Sequence, residues 1–144
     1  MVNLEDLLQQ YPAELRLPQF YEFILKEYIQ SKMLAAIAAA DTENRLVFIG
    51  GTNLRIVHNN QRFSEDLDFD NFDLSRDHFY YLTDKVIAEL QKSGYPAKAI
   101  DKKENPRLTA YRRNVQFPGL LQDLGLSGHA QKRFLIKIES EAHN

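Results

Sequence analysis

Arg62-Phe63-Ser64-Glu65-Asp66-Leu67-Asp68-Phe69-Asp70 decides how the rest of this chain reads, because from Asp66 onward acidic and apolar residues alternate. Alternation of period two marks a half-buried strand, whose successive side chains point to opposite faces. Asp66, Asp68 and Asp70 are therefore expected on one face, with Leu67 and Phe69 on the other, against a core. Adjacent carboxylates repel each other, so stability alone does not select them. A hard divalent cation such as Mg²⁺ removes that cost by taking oxygen ligands at about 2.0–2.1 Å. A carboxylate pair can hold two such ions roughly 3.5–4 Å apart, the spacing that clamps both oxygens of a phosphoryl displacement. An edge strand whose solvated acidic face deters aggregation would show the same alternation.

Upstream, Leu46-Val47-Phe48-Ile49 is a short apolar run stopped by Gly50-Gly51, which reads as a buried strand. Thr52 to His58 follows as a short helix. Glycines between a strand and a helix let the backbone approach a ligand closely, and a helix N-terminus offers free N–H groups to an anion. Thr52 adds a hydroxyl and Arg55 a fixed positive charge one turn on. A Gly-Gly pair alone is also a common turn. A phosphate cradle followed by an acid pair is a more specific combination, since it sets triphosphate oxygens beside the ions that neutralise them.

Farther out, apolar residues at helical spacing (Phe20, Phe23, Ile24, Tyr28, Met33, Leu34, Ile37) predict a helix from near Pro18 to Ala40, broken by Asp41-Thr42-Glu43-Asn44. Ser75 is placed to cap a second helix, whose apolar face (Phe79, Leu82, Val86, Ile87, Leu90) ends at Gly94. Strands are expected at about Ala97–Asp101 and Leu108–Phe117, then a loop from Pro118-Gly119 to about His129. In the last expected strand, Lys132 to Glu139, Phe134, Ile136 and Ile138 fall on one face, and Ile136 and Ile138 alternate with charged residues. Lys137 and Glu139 share its other face, where Glu139 could supply a third carboxylate and Lys137 a point charge for a phosphate. An ordinary amphipathic strand reads the same way. This order of helices and strands argues for an α/β or α+β fold with helices packed on a sheet.

The 144 residues fit one domain, and the 44% apolar content is enough for a core. No cysteine is present, which excludes disulfide frameworks, thiolate zinc sites and cysteine nucleophiles. The four histidines, His58, His78, His129 and His143, show no ligand spacing. No apolar run approaches the roughly 20 residues of a membrane span, and the acidic start is unlike a signal peptide; a cytoplasmic location is expected. Net charge is only −2, yet eight basic residues between Lys102 and Lys137 (Lys102, Lys103, Arg107, Arg112, Arg113, Lys132, Arg133, Lys137) face only Glu104 and Asp123. That surplus suits a polyanionic acceptor such as RNA, with Tyr111 and Phe117 as candidate stacking rings, though Phe117 reads first as core; otherwise it is a solvated strand face.

Taken together, Gly50-Gly51-Thr52, Leu54-Arg55, Arg62-Phe63-Ser64, Asp66-Leu67-Asp68 and Lys137-Ile138-Glu139 resemble the AbiEii/AbiGii toxin family of nucleotidyltransferases, within the DNA polymerase β-like superfamily. The resemblance runs from about Leu15 to Glu139. It implies a nucleotidyltransferase fold, a mixed β-sheet flanked by helices, forming one catalytic core over residues 1–144. It also implies Mg²⁺, one or two ions, and transfer of a nucleoside monophosphate from an NTP to an acceptor hydroxyl. By that resemblance Asp66, Asp68 and Glu139 are the catalytic, metal-binding carboxylates. Gly50, Gly51, Thr52, Arg55, Ser64 and Lys137 serve the nucleotide; a phosphoryl group on Ser64 would add about −1.5 to −2 charge beside the acids. Such proteins are typically toxins of bacterial toxin–antitoxin or phage-defence pairs, so a cognate antitoxin and an RNA or tRNA acceptor are implied. Two departures stand out. Ile49 occupies a position where many relatives carry a basic residue, and the family's C-terminal helical portion is expected to be absent. The alternatives are transfer to a small molecule such as an aminoglycoside, and a non-catalytic nucleotide-binding module.

Overall fold

A computed structural model of the chain describes residues 1–49, 66–100, 109–127 and 133–142. Among these residues five strands form one mixed sheet, covered by two long helices. In chain order the elements are α1 (Leu4–Leu8), α2 (Tyr21–Ala40), β1 (Leu46–Phe48), β2 (Asp66–Asn71), α3 (Arg76–Lys92), β3 (Lys98–Ile100), β4 (Tyr111–Gln116), α4 (Leu120–Asp123) and β5 (Leu135–Ala142). The fold is α+β, with a sheet and flanking helices of the kind expected for a nucleotidyltransferase.

The sheet order is β1-β2-β5-β4-β3. β2 runs parallel to β5, while the β1–β2, β5–β4 and β4–β3 pairs are antiparallel. The acid-bearing strand thus lies beside the last strand of the chain, far from it in sequence. Leu67, Phe69, Val115, Ile136 and Ile138 point to one face, where they join Leu25, Ile29, Met33 and Ile37 of α2 and Phe79, Leu82, Val86 and Leu90 of α3 in a single core. Burying each of these side chains stabilises the fold by about 1.5–3 kcal/mol, and the alternation in β2 and β5 leaves their charged residues on the opposite face.

Local chemistry sets the element ends. The Ser75 hydroxyl accepts from the His78 N–H at 3.1 Å, capping α3 as its sequence predicts. Gly94, at φ +90°, takes the left-handed turn that closes the helix. The buried Asp41 carboxylate accepts from the backbone N–H groups of Arg45 (3.0 Å) and Leu46 (2.8 Å), ending α2 and aiming the chain into β1. Gly119, at φ +75°, opens α4 inside the stretch expected to be a loop, and Leu120 and Leu121 are buried there. The five-residue α1 has a single buried residue, Leu7, and so little periodicity that the sequence does not announce it.

One expectation changes face. Arg113, counted above with the basic segment, points toward the helices: its Nη2 lies 2.8 Å from Asp84 Oδ1, and its guanidinium stacks 4.8 Å from the Tyr80 ring centre. It is 7% exposed and joins β4 to α3. Tyr111 and Phe117 also face inward, Tyr111 against Phe79 at 5.7 Å and Phe117 against Phe134 at 5.6 Å, so neither is a stacking platform.

Leu67→Ala, at a fully buried position in β2, is expected to lower unfolding stability by about 3 kcal/mol in urea denaturation. Val47→Ala, on the exposed side of β1, should change it by less than about 0.5 kcal/mol.

Candidate functional site

The polar face of the sheet is built from two rows of side chains set by strand register. In one row Asp66 of β2 pairs with Lys137 of β5, which pairs with Asn114 of β4. In the next, Asp68 pairs with Glu139, which pairs with Arg112. Charge is therefore graded across the sheet, negative at β2 and positive toward β4. The parallel β2–β5 pairing brings the third carboxylate expected from sequence directly opposite Asp68.

Lys137 occupies the middle of this arrangement. Its Nζ lies 3.4 Å from Asp66 Oδ2 and 3.5 Å from Glu139 Oε2, while Arg112 Nη2 lies 3.4 Å from Glu139 Oε1. Even so, the carboxyl of Asp68 is pushed above its ordinary value. Burial is the main cause, followed by the charges of Asp66 and Glu139; Lys137 offsets part of this.

Two cavities flank Asp66. One, of about 330 Å³, is lined by Ile49, Asp66, Asp68, Phe69, Glu139 and Glu141. The Ile49 N–H donates to the Asp68 carbonyl at 2.9 Å, so the end of the β1 segment is held against the acid strand. Ile49 is 57% exposed, leaving an apolar side chain beside the acids at the position where a basic residue was noted in relatives. The second cavity, of about 520 Å³, opens toward β4 and is lined by Lys26, Arg112, Arg133 and Lys137 together with Glu22, Asp66, Asn114 and Leu135.

Of the residues singled out from sequence, Asp66, Asp68, Glu139 and Lys137 thus come together on one face. Gly50, Gly51, Thr52, Arg55 and Ser64 lie outside the described residues, as do the expected Thr52–His58 helix and Lys102, Lys103, Arg107 and Lys132 of the basic segment. Sequence reasoning missed Glu22 and Lys26, which α2 carries to the second cavity. On a helix read for its apolar spacing, nothing set these two apart.

Among the described residues no three acidic or histidine side chains are arranged as ligands around one metal position. The donor chemistry nevertheless fits a hard divalent cation. Asp66, Asp68 and Glu139 offer only carboxylate oxygens, they are register neighbours, and their mutual repulsion is what a cation would relieve. The Lys137 ammonium supplies counter-charge between two of them.

A mixed sheet with helices packed on one face, and acids on adjacent strands of the other, is consistent with a nucleotidyltransferase fold. A family model described as the nucleotidyl transferase AbiEii toxin of type IV toxin–antitoxin systems matches residues 32–141. The chain belongs to this family. No curated protein matches it. Membership makes it a nucleotidyl transferase toxin by family, with a nucleotide substrate and an antitoxin partner implied. Among the described residues no helix is long and apolar enough to cross a membrane.

The raised pKa of Asp68 has a definite sign. Folded chains hold this proton to higher pH than unfolded ones, so its ionisation weakens the fold. The stability it withholds at neutral pH is regained as pH falls through its native value and is complete below its ordinary value of 3.8. In protein stripped of divalent ions, Asp68→Asn should therefore raise the thermal midpoint at neutral pH, and the gap to wild type should close below pH 3.8. Thermal melts across a pH series in EDTA read this directly.

Proposed function

We propose that this chain transfers a nucleoside monophosphate from an NTP to an acceptor hydroxyl, with RNA or tRNA as the acceptor, using Mg²⁺. The observation that carries the reading is the register of β2 and β5, which sets Asp68 opposite Glu139 and Asp66 opposite Lys137 on one polar face. Asp66, Asp68 and Glu139 are the residues that would hold the metal. Bound there, Mg²⁺ would supply charge neutralisation for the triphosphate and acidify the attacking hydroxyl.

The protein's own part is positioning. The alternation of β2 fixes both aspartates on one side of a strand anchored by Leu67 and Phe69, so the carboxylates are held in place before substrate arrives. Arg112 holds Glu139 from the β4 side, fixing the direction in which that carboxylate presents its oxygens. Lys137, held between Asp66 and Glu139, is placed to meet a phosphate oxygen as a point charge. Gly50, Gly51, Thr52, Arg55 and Ser64 are assigned to the triphosphate on sequence alone, through backbone N–H groups, hydroxyls and one guanidinium. The same proposal makes the chain the toxin of a phage-defence pair acting in the cytoplasm; what supports it is the match to a toxin of type IV toxin–antitoxin systems.

The test is incubation with each α-labelled NTP, Mg²⁺ and total bacterial RNA, beside an Asp68→Asn control. Label is expected on tRNA-sized RNA, with Asp68→Asn reducing the rate on the order of a hundredfold or more. Label on an aminoglycoside instead of RNA would make this a small-molecule enzyme. Nucleotide binding with no transfer to either would make it a binding module.

A further inference from the structure

The 520 Å³ cavity on the β4 side of Asp66 has its own chemistry. Lys26, Arg112, Arg133 and Lys137 bring four cations to its wall, against the carboxylates of Glu22 and Asp66. Two of the cations also hold the acid face: Lys137 pairs with Asp66 and Glu139, and Arg112 with Glu139. The other two come from elsewhere in the chain. Arg133 precedes β5, is exposed, and among the described residues makes no ion pair. Lys26 sits on α2 with its Nζ 5.4 Å over the Phe134 ring, outside the span that matches the family. Asp66 forms a wall common to this cavity and the acidic one, so a group bound among the cations lies next to the carboxylates without entering them.

A site with this charge selects an anion and rejects a cation. Within this cavity an aminoglycoside-like acceptor, carrying several ammonium groups, would be repelled by Lys26, Arg112 and Arg133. A phosphodiester would find both point-charge and forked guanidinium donors. Resting on the transfer reading above, in which the acid face is the chemical centre, we propose that this cavity is the acceptor subsite: it grips a backbone phosphate of a single-stranded RNA end, so that the attacking hydroxyl is delivered along the Asp66 side of the acid row. Lys26 and Arg133 are then positioning residues that select a polyanionic acceptor.

The experiment measures binding without turnover. Fluorescence anisotropy of a 5′-labelled single-stranded RNA is followed across a KCl series for wild type, Lys26→Ala, Arg133→Ala and, as a charge-matched control, Lys92→Ala at the far end of α3. Binding of a fluorescent NTP is measured in parallel. Lys26→Ala and Arg133→Ala are each expected to weaken RNA binding about tenfold. Each should also flatten the plot of log affinity against log salt by about 0.7, the loss of one phosphate contact to a single strand. NTP binding should stay within about twofold, Lys26→Arg should retain RNA affinity, and Lys92→Ala should behave as wild type. Equal weakening by Lys92→Ala would mean diffuse attraction and would overturn the subsite. Weakened NTP binding with RNA affinity intact would overturn it too, by giving the cavity to the donor nucleotide. A chain that binds RNA through Lys26 and Arg133 yet transfers nothing in the labelled-NTP assay would overturn the transfer reading and the acceptor role with it, leaving only the grip on an RNA phosphate.

Discussion

The register between β2 and β5 is the constraint on which the rest of this structure depends. Side chains alternate with a period of two, so slipping β5 by one residue would turn Ile136 and Ile138 out of the core and Lys137 and Glu139 into it. The apolar residues forbid that slip. Leu67, Phe69, Ile136 and Ile138 are buried beneath α2 and α3, and losing them would cost far more than any contact on the polar face could return. A buried hydrogen bond between Asn71 Nδ2 and Ser140 Oγ, 3.1 Å long, adds a second lock at the far end of the pair, since either group left unmatched in the interior would be penalised. Apolar packing, which knows nothing of catalysis, thereby sets which charges meet.

That separation explains how an unfavourable charge cluster persists. Asp66, Asp68 and Glu139 repel one another, and the carboxyl pKa of Asp68 is raised first by its partial burial and then by that repulsion. Lys137 and Arg112 answer part of the charge from the β5 and β4 side. Such half-exposed pairs contribute little to stability on their own, so they do not create the arrangement. The core holds the strands, and the ion pairs settle a face that already exists. A cluster whose charges are compensated only in part is one that a cation or an anion can still complete.

β2, β5 and α3 were legible because each has a strong period, whereas α2, apolar on most sides, was legible from its long apolar run and its stop at Asp41. Asp66 to Asp70 and Ile136 to Glu139 alternate cleanly, and Ser75 announces a helix through a side chain that can accept a backbone N–H. Adjacency was less legible. Sequence suggested that Glu139 belonged near the aspartates, but parallel pairing of segments some seventy residues apart is decided by packing across the whole sheet. Arg113 was misplaced for an instructive reason: counting charge along a segment ignores that Arg112 and Arg113 must point to opposite faces of a strand. Applying the same period-two rule to the basic segment as to the acidic one would have separated them. Glu22 and Lys26 carry no such signal, since on a mostly apolar helix their placement depends on where the helix starts relative to the sheet.

The division of labour between the two faces also bears on how specificity can arise in a small domain. Both described long helices pack on the apolar side of the sheet, which leaves its polar side, with Glu22 and Lys26 from the start of α2, to meet charged ligands. On that side a two-residue step along β5, from Lys137 to Glu139, reverses the sign of the charge, and a one-strand step from Glu139 on β5 to Arg112 on β4 reverses it again. Steps this short fall within the screening length of roughly 8 Å at physiological salt. A ligand there feels both signs at once, and one that offers a single uniform charge is poorly matched. The best match is a pair of groups with separate needs: one brings a metal to the carboxylates, and the other brings only phosphate to the cations. The two substrates of nucleotidyl transfer have that complementarity, which joins the family to the charge pattern through physics rather than through resemblance.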